Sequence, residues 1–361
     1  MIYGLILAGG NGSRLYPLSR VNKPKQFLNI LNEETLLHNT LSRISKIVCN
    51  ENLYIITNKE YKENILLDSE KFIDVNNIII EPFNKETAVC IALAAIKLLK
   101  KDKDATMLVF PSDHYIEISD AFYKCIKSAV DVSTKKRGIV TIGIEPTIPQ
   151  TGYGYIQAGK LINSGINFSN LNIYKVERFI EKPSYELAKD FIISGNYLWN
   201  SGIFCFRVDV YLRELEKYLP KIYKGMMEIY KSLGEENEKE VINKIYKELE
   251  GISIDFGIMQ KTRKAYVVAG DFYWDDIGSF TSLKRTLKKQ GKNFTKGNIL
   301  SEDSENCLIF GNDNLVITFG VKDLIVVNTD DVTLIMDKKR EQEVKNLFRL
   351  LKDNIKFKKF I

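Results

Sequence analysis

The sequence predicts an α/β fold built on a doubly wound, mostly parallel (mixed) sheet and followed by a small β-rich segment. Three observations predict it. Up to residue 143, apolar strand patterns alternate with helical ones, the signature of consecutive βαβ units. The first strand, Ile2–Leu7, runs straight into a loop holding Gly9, Gly10 and Gly12, and ligands in such sheets bind beyond the carboxyl ends of the strands. From residue 291 the pattern changes to short strands separated by Gly, Asn and Asp. We therefore place a first domain at 1–290 and a second at 291–361.

The elements follow in order. Helices are expected at 35–46, 59–70, 86–100 and 119–134, with strands at 53–57, 77–81, 105–110 and 138–143. The helix at 86–100 is apolar nearly all round, which suits a buried helix. From Thr151 Gly and aromatic residues appear together, in Thr151-Gly152-Tyr153-Gly154-Tyr155. A strand at 172–180 leads to Glu181-Lys182-Pro183, and a helix at 185–194 follows with Ser184 as its N-cap. Trp199-Asn200-Ser201-Gly202 opens a strand at 203–207. Helices then follow at 210–218, 221–233, 236–250 and 253–261, and a strand at 265–269. Trp274-Asp275-Asp276-Ile277-Gly278-Ser279 precedes a helix ending near 290. Residues 291–305 read as a polar linker, before strands at 307–310, 315–319, 324–328 and 332–336 and a helix at 341–352.

Composition narrows the function. The chain has 361 residues, 45% apolar and 27% charged, an ordinary globular composition. Its net charge of +6 is dispersed, and no basic stripe with interleaved aromatics points to nucleic acid. No apolar run reaches membrane-spanning length, and the N-terminus has no charged region before its apolar stretch, so neither membrane nor export is expected. The five cysteines stand far apart without a CxxC pair and read as reduced core residues of a cytoplasmic protein. The two histidines, His38 and His114, leave little room for Ser/His/Asp or Cys/His chemistry.

The chemistry-bearing residues cluster in motifs. Leu7-Ala8-Gly9-Gly10-Asn11-Gly12-Ser13-Arg14 offers backbone N–H groups and a guanidinium to an anion. Pro24 pushes Lys23 toward extended backbone, so Lys23 and Lys25 are expected to share a face, with Gln26 opposite. The loop is not a Walker A motif, which needs Gly-Lys-Ser/Thr. Nor is it a dinucleotide fingerprint, because Leu15 stands where the third glycine belongs and strand 53–57 ends without an acidic residue. Asp113, after a strand and a proline, and Asp276 are two carboxylates suited to a hard cation such as Mg²⁺; spacing alone does not choose between Asp275 and Asp276. Lys182 with Glu181 suits a sugar hydroxyl and a phosphate, and Asn200 suits a hydroxyl.

In combination these motifs resemble the mannose-1-phosphate guanylyltransferases of the bacterial type. Leu7 to Arg20, Pro24-Lys25-Gln26-Phe27, Pro111-Ser112-Asp113-His114, the Gly152–Ile156 run, Phe179-Ile180-Glu181-Lys182-Pro183, Trp199-Asn200-Ser201-Gly202, Ser253-Ile254-Asp255 and Trp274 to Ser279 stand in the family's order over nearly the whole chain. The resemblance implies a Rossmann-like fold of the nucleotide-diphospho-sugar transferase type with a β-helix-like C-terminal domain. It implies transfer of GMP from GTP to mannose 1-phosphate, with Mg²⁺, in a cytoplasmic homo-oligomer, a dimer. Catalytic roles fall on Arg14, Lys25, Asp113, Lys182 and Asp276. The nucleotide falls to Leu7, Ala8, Gly9, Gly10, Gly12, Ser13, Arg14, Lys25, Pro82, Thr87, Ser112 and Asp113. The sugar phosphate falls to Gly152, Tyr153, Glu181, Lys182, Asn200 and Asp276, and the metal to Asp113 and Asp276. The segment Glu81 to Ala88 departs from the family's Arg-Asn-Thr-Ala, which leaves the base open at Lys85-Glu86. Another sugar 1-phosphate or base, or a non-catalytic GDP-sugar sensor, are the competing expectations. The chain ends before a cupin-type isomerase domain, so phosphomannose isomerase activity is not expected.

Overall fold

In the computed structural model, residues 1–10, 12–162, 171–287 and 291–361 are described; Asn11 of the glycine loop and the predicted helix end near Gln290 lie outside them. The chain divides into two compact units. The first comprises Met1–Gly9, Leu41–Ser112 and Ile116–Trp274, the second Gly10–Thr40, Asp113–Tyr115 and Asp275–Ile361.

The strands are β1 (Ile2–Leu7), β2 (Leu53–Asn58), β3 (Ile78–Glu81), β4 (Thr106–Pro111), β5 (Tyr115–Ile116), β6 (Ile139–Ile144), β7 (Gly154–Leu161), β8 (Ile173–Glu181), β9 (Tyr197–Arg207), β10 (Ala265–Gly270) and β11 (Trp274–Asp275), then β12 (Phe294–Lys296), β13 (Ile299–Glu302), β14 (Leu308–Phe310), β15 (Val316–Phe319), β16 (Leu324–Asn328) and β17 (Thr333–Asp337). The helices are α1 (Leu36–Ile44), α2 (Lys62–Ser69), α3 (Glu86–Lys101), α4 (Asp120–Lys136), α5 (Tyr185–Ser194), α6 (Val208–Tyr218), α7 (Pro220–Ser232), α8 (Glu238–Glu248), α9 (Phe280–Leu287) and α10 (Val344–Asp353).

The first unit carries a nine-stranded sheet in the order β3-β2-β1-β4-β9-β6-β10-β8-β7. Its first four strands are parallel, as βαβ crossovers require. From β9 onward antiparallel pairs dominate, with β6–β10 the parallel exception, so the sheet is mixed. Helix α3 buries Ala88 through Ile96 without a polar interruption, which explains why its sequence is apolar all round. It packs in one core with Tyr211 and Leu215 of α6, Met226 and Ile229 of α7, and Tyr246 of α8. Ser184 caps α5 as the sequence predicts, its Oγ accepting from Leu187 N–H at 3.4 Å.

Several boundaries differ from the sequence reading. Trp199-Asn200-Ser201-Gly202 does not precede a strand but lies inside the eleven-residue β9, because β6 and β7 both pair with that stretch. The helix expected at 253–261 is a single wide turn, Asp255–Met259, closed by Gln260 N–H on Asp255 C=O at 3.0 Å. The helix expected at 59–70 opens with a tight turn, Lys59–Tyr61, whose Tyr61 N–H bonds the Asn58 side chain at 3.1 Å, before α2 begins.

In the second unit the stretch read as a linker forms β12 and β13. Its strands are three and four residues long, too short to show a period, and they exist because distant strands pair with them. Phe294, Leu308 and Ile325 stand in register across parallel β12, β14 and β16, all fully buried. Ile299 pairs with Val316 in the second, parallel β13–β15 layer. Successive parallel rungs of this kind are a β-helix. Gly297, at φ 110°, makes the corner; a Cβ there would lie 2.3 Å from Gly311 O. The stacked face packs on Phe280 and Leu283 of α9 and on Leu15, Leu28 and Ile277.

One buried acid in the first unit affects stability. Glu81, 5% exposed, receives the Tyr246 hydroxyl at 3.2 Å, and burial pushes its carboxyl up to about 7. A carboxyl raised on folding stabilises fully below its unfolded value, near 4.5, and loses that contribution as pH rises through 7. We predict that Glu81→Gln, which keeps an acceptor for Tyr246, removes this loss. In denaturant titrations the variant should gain on wild type by roughly 2–3 kcal/mol between about pH 5 and 8; a constant difference across that range would contradict the assignment.

Candidate active site

The glycine loop is fitted to Lys25. Gly12 sits at φ 60°, and a Cβ on it would come within 2.3 Å of Lys25 Cβ, so only glycine allows this approach. Ser19 Oγ donates to Gly12 O at 2.7 Å and fixes the turn. Leu15, in the place of a third glycine, is 1% exposed and belongs to the second unit's core, so that position anchors the loop rather than opening it. Arg14, one residue earlier, makes no hydrogen bond or ion pair among the described residues. Its guanidinium is available to an anion.

Lys23 and Lys25 do not share a face. Lys25 starts a tight turn, with Phe27 N–H on Pro24 O and Leu28 N–H on Lys25 O, both at 3.0 Å. The turn starts at Lys25, directly after an extended Pro24 (ψ 167°), leaving Lys23 exposed and Lys25 only 6% exposed. The Lys25 ammonium bonds Asp113 Oδ2 at 2.8 Å and also donates to the Asp276 carbonyl. Burial alone would raise the Asp113 carboxyl, but Lys25 and His114 outweigh it and hold it below its ordinary value. His114 Nε2 lies 3.7 Å from Asp113 Oδ1; burial lowers the imidazole despite the neighbouring carboxylates.

Geometry separates the two aspartates that spacing left equivalent. Asp275 is 3% exposed, and its carboxylate accepts from the Ser282 hydroxyl, from Ile277 N–H at 2.8 Å and from Arg285 at 2.9 Å. It ties α9 to the turn. Asp276 is less buried and its carboxylate accepts from Gly278 N–H at 2.8 Å. Ile277, the next residue, is fully buried at φ 48°, a left-handed conformation that a β-branched residue adopts only under strain. The core holding Ile277 also holds Leu15 and Leu28, so one set of apolar contacts fixes the glycine loop, the Lys25 turn and the Asp276 turn.

Gly10 and Ser13 belong to the second unit with Gly12 and Arg14, and the remaining predicted residues to the first. Gly154 pairs with Glu181, and Tyr155 with Trp199, so β7 runs between the strands carrying Glu181 and Asn200. A Cβ on Gly154 would lie 2.5 Å from Glu181 Oε2 and 3.4 Å from Asn200 Cβ; the missing side chain leaves room beside both. Lys182, at φ 50°, is left-handed; its N–H bonds Tyr153 O at 3.2 Å and its ammonium meets Glu181 Oε1 at 2.8 Å while staying largely exposed. Tyr153 is buried edge-on against Trp199 and Trp274, at centroid distances of 5.2 and 5.0 Å, and thus shapes the site by packing. Gly152 lies in the turn before β7. Leu7 ends β1, where Ser112 N–H bonds its carbonyl at 3.1 Å, and Ala8 and Gly9 follow it. Pro82 and Thr87 flank the start of α3, and Thr87 Oγ1 accepts from Ile254 N–H at 2.9 Å.

Asp255 stands in one of the sequence motifs without a role that its residue type or spacing reveals. The structure puts it against Asn200, whose Nδ2 donates to Asp255 Oδ1 at 3.2 Å. The signal available in the sequence was a lone acid in an apolar stretch, which is weak evidence by itself.

The family model "Nucleotidyl transferase" matches residues 3–293, and "MannoseP isomerase/GMP-like beta-helix domain" matches 297–351. A mannose-1-phosphate guanylyltransferase of Salmonella montevideo is 39% identical over 98% of this chain and 74% of its own length. The alginate biosynthesis protein AlgA of Pseudomonas aeruginosa is 35% identical over 96% of this chain and 71% of its own. A crystal structure named mannose-1-phosphate geranyltransferase, from Thermus thermophilus, superposes with a TM-score of 0.85 at 30% identity, covering 97% of this chain and 99% of that one. No described helix is long and apolar enough to cross a membrane.

The two aspartates differ in what their removal costs. Asp275→Ala strands Arg285, Ser282 and a buried N–H and should destabilise by about 2–4 kcal/mol. Asp276→Ala should cost about 1 kcal/mol or less. Thermal unfolding of both variants checks this; equal losses would contradict the distinction.

Proposed function

We propose how these residues act in this chain, which belongs to the mannose-1-phosphate guanylyltransferases of the nucleotidyl transferase family. As a member it is a nucleotidyltransferase that moves GMP from GTP to mannose 1-phosphate, giving GDP-mannose and pyrophosphate. The observation that carries the residue assignment is the buried Lys25 ammonium on Asp113 and the Asp276 backbone, with Arg14 of the same unit uncommitted among the described residues.

In this reading Leu7, Ala8, Gly9, Gly10, Gly12 and Ser13 of the glycine loop give backbone N–H groups to the GTP phosphates, with Pro82, Thr87 and Ser112 toward the nucleoside. Arg14 and Lys25 offset the charge that grows on the leaving pyrophosphate. Lys182 holds the phosphate of mannose 1-phosphate, while Gly152, Tyr153, Glu181 and Asn200 receive the sugar. A phosphate oxygen of the sugar phosphate attacks the α-phosphorus in line, and the bond from that phosphorus to the bridging oxygen of the β-phosphate breaks. A phosphate monoester is already a competent nucleophile at neutral pH, so positioning and charge carry the rate rather than a strong base.

Asp113 and Asp276 are the residues that would hold a divalent cation, Mg²⁺ in this proposal. The donor set fits: two carboxylates, and no cluster of three or more His, Cys, Asp or Glu among the described residues. Mg²⁺ is bound through one or two carboxylates plus substrate phosphates rather than in an all-protein cage. When bound, the ion offsets triphosphate charge. The depressed Asp113 carboxyl keeps that ligand ionised. A homodimer and a cytoplasmic location belong to the same reading. Exposed Ile317 and Phe319 in the β-helix support the first, and five cysteines without a disulfide the second.

The test is pyrophosphate release from GTP and mannose 1-phosphate. Wild type should need a divalent cation and stop with chelator. Asp276→Ala should lose at least about a hundredfold in rate while staying folded. Full activity in that variant would remove Asp276 from the metal site.

A further inference from the structure

Three hydrogen bonds fix the amide of Asn200. Gly202 N–H, which can only donate, reaches Oδ1 at 3.3 Å, and the Thr141 hydroxyl reaches the same atom at 2.8 Å. The Nδ2 group must therefore face the other way, and one of its hydrogens goes to Asp255 Oδ1 at 3.2 Å. Its second hydrogen has no bond among these contacts. Glu181 Oε2 lies over Gly154, 2.5 Å from where a Cβ would stand, and Asn200 Cβ lies 3.4 Å from the same point.

Asp255 is itself held in place. It opens the wide turn Asp255–Met259, and the preceding residue, Ile254, bonds Thr87. Wide turns of this kind recur at functional sites. The groups facing Asp255 are Glu181 and Lys182 at the end of β8 and Asn200 on β9. Helix α6 also packs on the turn, but its acid Glu214 is turned to Thr262 Oγ1, 2.7 Å away, and to Lys264.

We propose that Asp255 is the positioning residue of the sugar-phosphate subsite: it orients the Asn200 amide and, with Glu181, forms a carboxyl pair that selects a hexose 1-phosphate through its ring hydroxyls. The inference rests on the reading of Glu181 and Asn200 as that subsite. Two carboxylates beside a sugar-phosphate dianion repel it if both are ionised. Burial, with Glu181 adjacent, pushes Asp255 up to about 7, so the carboxyl beside Glu181 becomes neutral as pH falls below that value. A neutral Asp255 accepts from Asn200 through one oxygen and has a hydroxyl to donate through the other.

The experiment is steady-state kinetics with GTP and mannose 1-phosphate varied separately, on Asp255→Asn, Asp255→Ala and Asn200→Ala, from about pH 6 to 9. Asp255→Ala should raise KM for mannose 1-phosphate about tenfold and leave KM for GTP within about twofold. Asp255→Asn keeps the acceptor and cannot ionise. It should match wild type near pH 6 and escape the rise in sugar-phosphate KM that wild type shows above about pH 7. Titration of the substrate's phosphate is common to both proteins and cancels in their ratio. If Asp255→Ala fails to fold, the pH profile of Asp255→Asn decides. A profile parallel to wild type, or an unchanged KM in Asp255→Ala while Asn200→Ala raises it, overturns the role of Asp255 alone. An unchanged KM in Asn200→Ala overturns the subsite reading with it.

Discussion

Lys25 is a buried ammonium with two partners, the Asp113 carboxylate and the Asp276 carbonyl, and much of the second unit is arranged to make that burial tolerable. Removing a cation of this size from water costs several kcal/mol, offset only where geometry and hydrogen bonds are complete. The surroundings meet this condition. Gly12 gives up its side chain so the loop can press on Lys25, and Ile277 accepts a left-handed backbone so the Asp276 carbonyl can face the ammonium. Leu15, Leu28 and Ile277 share one core, so the three segments cannot drift apart without opening apolar contacts. Strain at Ile277 and burial of Lys25 are two aspects of one preorganised charge arrangement.

The first unit follows the same logic with different chemistry. Gly154 gives up its side chain to Glu181, Lys182 takes a left-handed backbone, and Asn200 is oriented by Thr141, Gly202 and Asp255. In both units a glycine provides close approach, a non-glycine residue carries the strain, and a polar group is fixed by hydrogen-bonded neighbours. Such networks hold geometry tightly when every member is satisfied.

The parallel half of the sheet and the buried α3 were legible because each depends on local pattern: strand alternation and apolar periodicity. The misses share another cause. Strands β12 and β13 have no period of their own and form by pairing with segments 14 to 17 residues away. Asp275 and Asp276 are adjacent and chemically identical in sequence; only the Ile277 N–H, with Ser282 and Arg285 brought round by α9, assigns the first to structure. Lys23 and Lys25 part because a tight turn begins at Lys25, directly after the extended Pro24, and buries Phe27 and Leu28. Asp255 acquires meaning only through Asn200, 55 residues away in the chain.

The most direct test of the account is Lys25→Met, which keeps the apolar stem and removes the charge. Turnover with saturating mannose 1-phosphate and varied GTP should show kcat/KM for GTP reduced by about a hundredfold or more, in a protein that still unfolds cooperatively. A variant within about twofold of wild type would contradict the claim that the buried Lys25 charge organises the triphosphate site.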